Sequence, residues 1–136
     1  MLIPATALVI VTSLQFVEVG KHRVVIEVNV PGRTAYQTVL GNAENLARAF
    51  KPDPVQIEIV CEGPGIQMLL KTGNPFAHRL EKLQSSTVHF CACSNTLRGM
   101  GLKKERLLPF VRVVDSGVAE VVRKQEDGWS YLKGAY

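Results

Sequence analysis

Runs of β-branched and other apolar residues recur along this chain at Arg23–Val30, Val55–Cys61, Thr87–Ala92 and Phe110–Val114, and the segments between them carry helical periodicity. Strands alternating with helices in this way predict a three-layer α/β/α domain with right-handed crossovers. Its sheet is expected to be five-stranded and mainly parallel, with Trp129–Lys133 as a short fifth strand. The clearest helix is Thr34–Phe50, where Tyr36, Val39, Leu40, Ala43, Leu46, Ala47 and Phe50 make one apolar stripe opposite Asn42, Glu44, Asn45 and Arg48. Lys51-Pro52-Asp53-Pro54 ends it, and in the next strand Gln56 and Glu58 read as alternating outward. Short helices are predicted at Ile66–Lys71 and at Pro75–Gln84, the latter with Phe76, Leu80 and Leu83 inward. Asp115-Ser116-Gly117 caps a last helix through Lys124, with Val118, Val121 and Val122 as its apolar residues.

A chain of 136 residues is expected to be one domain. Such a domain buries roughly two-thirds of its unfolded surface and needs no disulfide or metal to fold. The hydrophobic fraction of 46% suggests that part of the surface is covered by a neighbour. Three cysteines, at positions 61, 91 and 93, make no disulfide framework, and the CAC spacing is not that of a zinc site, so a reducing cytoplasm is the expected compartment. The net charge of +4 is carried by basic residues in ones and twos, interleaved with Glu81, Glu105, Glu120 and Glu126. No basic stripe results, and nucleic acid is not an expected partner. No phosphate-binding loop, nucleotide fingerprint or Ser/His/Asp order is present, so no cofactor is predicted. His22, His78 and His89 lack ligand spacing, and a metal site would require the fold to bring His78 or His89 to Cys93. Residues 1–20 form an apolar extension broken by Thr12, Ser13 and Gln15. The run is too short for a membrane span and has no positive residue before it, so it is expected to stay in the mature protein, extended and packed on the domain or on a neighbouring subunit.

The candidate chemistry lies in Ser86–Gly101, STVHFCACSNTLRGMG. A buried strand here gives way at Cys93 to a helix opened by Ser94, Asn95 and Thr96, so Cys93 sits where aligned peptide dipoles and free N–H groups favour a thiolate. Ligands of parallel sheets bind beyond the carboxyl ends of the strands. Three turns are expected there together: Cys61–Gly65, with Gly63, Pro64 and Gly65; Cys93–Thr96; and Asp115–Gly117, with Ser116 and Gly117. Cys91, two residues before Cys93, should face the same way and could resolve a persulfide on it. The alternative is that both cysteines pack as small hydrophobes and that the turns are ordinary caps.

Three blocks, GPGIQML at Gly63–Leu69, FCACSNTLRGMG at Phe90–Gly101 and VDSGVAEVVRKQEDGWSYLK at Val114–Lys133, resemble the DsrE/DsrF-like (YchN-like) family of small sulfur-relay proteins. The likeness extends from about Arg23 to Lys133, making residues 21–136 one DsrE/DsrF-like domain behind the extension of residues 1–20. The resemblance implies a five-stranded parallel sheet, assembly as a trimer or hexamer, and a persulfide-bearing cysteine after the third strand, followed by an Arg-Gly pair. Cys93 with Arg98-Gly99 is similar to that pattern. Ser94-Asn95-Thr96 stands where the well-characterised carriers have small apolar residues, which places the chain nearer the family's uncharacterised branch.

The function expected is that of a sulfur carrier or sulfurtransferase. Cys93 would take sulfane sulfur as a persulfide and pass it to a partner thiol, with Asn95 and helix N–H groups holding the thiolate and the Gly63–Gly65 turn admitting the sulfur. Its partners would be sulfur donor and acceptor proteins and further copies of itself, with no nucleic acid and no membrane. The rival is a non-catalytic oligomeric module that binds a small anion or partner protein at the same edge.

Overall fold

The computed structural model describes residues 21–136, so the expectations for residues 1–20 lie outside the described residues. Five strands, β1 (His22–Val28), β2 (Val55–Cys61), β3 (Val88–Cys93), β4 (Arg112–Val114) and β5 (Ser130–Lys133), form one sheet in the order β4-β3-β2-β1-β5. All four pairings are parallel, where the sequence predicts only a mainly parallel sheet. No helix among the described residues is long and apolar enough to cross a membrane.

Helix α1 (Arg33–Ala49) buries Tyr36, Val39, Leu40 and Ala43 of the expected stripe, together with Ala35, while Leu46 and Phe50 are only partly buried against the same core. It packs with α2 (Ala77–Leu83) over one face of the sheet, against Ile26, Ile57, Ile59 and Phe90. Each such side chain, taken wholly out of water, contributes about 1.5–3 kcal/mol, so this face holds most of the stability. The opposite face is smaller: Val25, Val60 and Cys91 lie under Val121 of α4 (Gly117–Glu126).

Two expectations for the α4 face are corrected. Glu58 does not point outward to solvent; it is 4% exposed, and Lys124 Nζ reaches its carboxylate at 2.9 Å. A central strand is covered on both faces, and here the cover is a helix that supplies the compensating charge. Val118 and Val122 are 58% and 52% exposed, because only Val121 and the Lys124 stem turn toward the sheet.

The segment after β2 also differs from expectation. The short helix expected over Ile66–Lys71 is a 3-10 helix that spans Gly63–Leu69. Gly63 starts it at φ +49°, a conformation that side chains disfavour. Gly65 meets the end of β1 so closely that a Cβ there would stand 2.1 Å from the Val28 carbonyl oxygen. Its lack of a side chain makes room for main chain.

Candidate functional site

Strand β3 includes Cys93 as its last residue, and the chain turns at once into α3 (Ser94–Gly99). The connections leaving β1, β2 and β3 turn to the face covered by α1 and α2, since Leu97 of α3 joins that core. The connection leaving β4 turns to the other face, where α4 lies. Adjacent strands whose connections diverge open a crevice at their carboxyl ends, and Cys93 stands at that point between β3 and β4.

The three predicted turns meet there. Gly63 N–H donates to Thr96 Oγ1 at 2.8 Å, joining the turn after β2 to α3. A Cβ placed on Gly117 would lie 2.6 Å from Glu62 Oε2 and 3.2 Å from Cys93 Cβ, so the start of α4 presses on both residues. Ser116 uses its hydroxyl to cap α4, accepting from Ala119 N–H at 3.4 Å. Pro64 is exposed at the rim of the turn, and Gly65 is buried against β1.

Burial raises the cost of a charge on Cys93, which is only 4% exposed, yet its thiol is held below the ordinary value. The Thr96 hydroxyl and the backbone N–H groups of Gly117, Thr96 and Asn95 face the sulfur and outweigh the burial. Gly117 opens α4 and Asn95 lies in the first turn of α3, so N–H groups from the starts of two helices converge on one thiol. Asn95 contributes through its main chain; its side chain is exposed and accepts from Arg98.

Cys91 lies on the same face but in a different environment. It is packed with Val25, Val60 and Val121. Burial, followed by the negative charges of Glu58 and Glu120, pushes its thiol up to about 12. Cys61 lies in the larger core on the other face, where burial raises its thiol well above the ordinary value. Of the three thiols, only Cys93 is held below its ordinary value.

Sequence reasoning missed Glu62. It follows β2 directly, and its carboxyl is raised to about 7 by burial and then by the neighbouring Glu27. Tyr131, on β5, donates its hydroxyl to Glu27. A charged residue inside the otherwise apolar run Arg23–Val30 was the available signal. No three or more His, Cys, Asp or Glu side chains among the described residues are grouped to hold a metal; His78 is exposed on α2, and His89 lies beside Arg112. A cavity of about 590 Å³ is lined by residues such as Pro31, Arg33, Lys133 and Tyr136 and by none of the site residues.

A parallel α/β domain with a single activated cysteine at the divergence of its strands is the class that fold and site define. The chain belongs to the DsrE/DsrF-like family, whose profile matches residues 22–133. It is similar to the solved structure of MTH1491, a protein of unknown function from Methanobacterium thermoautotrophicum: 34% identity, TM-score 0.78, 82% of this chain and 98% of that chain covered. Comparison with curated proteins gives no match.

Proposed function

We propose that this protein is a sulfur carrier that holds sulfane sulfur as a persulfide on Cys93 and hands it to an acceptor thiol. Membership of the DsrE/DsrF-like family supports a role in sulfur relay. The observation that carries the assignment to Cys93 is the convergence of the Thr96 hydroxyl and three backbone N–H groups on its sulfur, which favours the thiolate, the attacking form. Gly117, Thr96 and Asn95 are the residues that hold the charged sulfur, while Ser116, Gly63 and Gly65 fix the turns that bring them together. Cys91 has the opposite setting and acts as packing beneath α4.

The donor is a persulfide or polysulfide and the acceptor is a thiol, each presented at the carboxyl edge of the sheet. With so little of Cys93 exposed, a slim donor such as inorganic polysulfide is expected to load it faster than a bulky aromatic disulfide modifies it. The test is intact-mass measurement after polysulfide treatment of the wild type and of Cys93→Ser, Cys91→Ser and Cys61→Ser. A gain of one sulfur, about 32 Da, that is lost only in Cys93→Ser is the expected result. A wild type that takes up no sulfur while Cys93 accepts a small alkylating agent would contradict it.

A further inference from the structure

The carboxyl edge of the sheet carries a row of side chains that extends beyond the cysteine. Cys91 pairs in register with Val60, and Val60 with Glu27, which puts β3, β2 and β1 side chains on the face covered by α4. Two residues further along β3, and just past the end of β2, Cys93 and Glu62 are lateral neighbours on that same face. Glu27 lies on the same face of β1, two residues short of the level of Glu62, and Tyr131 on β5 donates its hydroxyl to the Glu27 carboxylate. The main chain at Gly117 closes over the first two members: a Cβ there would meet Glu62 Cβ at 3.0 Å and Cys93 Cβ at 3.2 Å. A glycine at this position is what lets the carboxyl and the thiol lie across from one another.

We propose that Glu62 is the proton-transfer residue for Cys93, with Glu27 and Tyr131 as positioning residues. The proposal rests on Cys93 being the sulfur carrier. In loading, Cys93–SH gives its proton to the Glu62 carboxylate, and the thiolate attacks the outer sulfur of a hydropersulfide donor R–S–SH. The donor S–S bond breaks as the Cys93 S–SH bond forms, and R–S⁻ leaves with the proton held by Glu62. One sulfur atom moves, no external oxidant or reductant is consumed, and the net change is Cys93–SH plus R–S–SH giving Cys93–S–SH plus R–SH. Discharge to an acceptor thiol runs through the same steps in reverse. A carboxyl raised to about 7 beside a thiol held below its ordinary value narrows the gap the proton must cross, the direction in which acid–base assistance gains.

The groups facing Glu62 are Glu27 from β1, Tyr131 from β5 and Cys93 from β3 across Gly117; Cys61, next to it in the chain, points to the opposite face. Glu27 alone among these raises its proton affinity. A definite pH behaviour follows. As Glu62 ionises near 7, its charge opposes the Cys93 thiolate, so the logarithm of the alkylation rate against pH should show a shoulder there.

The experiment measures iodoacetamide alkylation of Cys93 from pH 5 to 10, without any sulfur donor, in the wild type, Glu62→Gln and Glu27→Gln. The shoulder is expected in the wild type, absent in Glu62→Gln and moved to lower pH in Glu27→Gln, which removes the charge that holds the proton on Glu62. In Glu62→Gln, discharge of the preloaded persulfide to a low-molecular-weight thiol at pH 7 should slow by about 10²-fold. A wild-type profile without a shoulder, or a shoulder that persists in Glu62→Gln, overturns the proposal. Because alkylation needs no sulfur transfer, a protein that shows the shoulder but never loads sulfur would refute the carrier reading and leave the Glu62–Cys93 coupling standing.

Discussion

Thr96 joins two parts of the site through one hydroxyl. It accepts the Gly63 N–H at 2.8 Å and faces the Cys93 sulfur, so it ties the turn after β2 to the thiol it activates. Thr96→Val keeps the shape and removes both contacts. A hydrogen bond to a charged group is worth about 1.5–3 kcal/mol, so the thiol should rise by about one to two units, measured by alkylation against pH. An unchanged value would assign the activation to the backbone N–H groups alone. At this scale the sequence was only partly legible. Cys93 stood out because a strand ending in Ser-Asn-Thr signals a helix start, but nothing local showed how far its proton affinity would differ from that of Cys91. The distinction is tertiary: Glu58 and Glu120 lie beside one thiol, and Gly117 N–H, from a turn 24 positions on, faces the other. Glu62 was illegible for the same reason, since its raised proton affinity comes from burial and from Glu27 on another strand.

The elements were legible to the extent that periodicity controls them. Helix α1 and strands β2 and β3 lie within a residue or two of the expected bounds, because a long apolar stripe and a run of β-branched residues each have few alternatives. The 3-10 helix starts three residues before the expected short helix because the close approach of Gly65 to Val28, a contact between distant parts of the chain, sets its path. Gly65→Ala should therefore destabilise the fold by about 1–3 kcal/mol or more, read as a lower urea midpoint, since a Cβ 2.1 Å from a carbonyl oxygen forces main chain apart. An unchanged midpoint would mean that the turn moves freely. Glu58 shows the same limit: its alternation was read correctly, but only tertiary packing places α4 and the Lys124 ammonium over that face.

For the whole molecule, the strand order and the divergence of connections between β3 and β4 explain why chemistry gathers at one edge, while most of the buried apolar side chains lie on the α1 face. The exposed valines 118 and 122 on α4, with Val113 on the edge strand β4, leave apolar surface in water. Sedimentation at micromolar concentration is expected to give three or six copies of the chain, and a species near 15.0 kDa would remove the proposed assembly. The central claim, that sulfur is carried on one thiol, is tested most directly by locating the sulfur. Wild-type protein loaded with polysulfide, freed of donor and fragmented in the mass spectrometer should carry the added sulfur, about 32 Da, on fragments containing Cys93 and lose it when an acceptor thiol is added. Sulfur found on Cys61 or Cys91, or sulfur on Cys93 that no thiol can remove, would contradict the account.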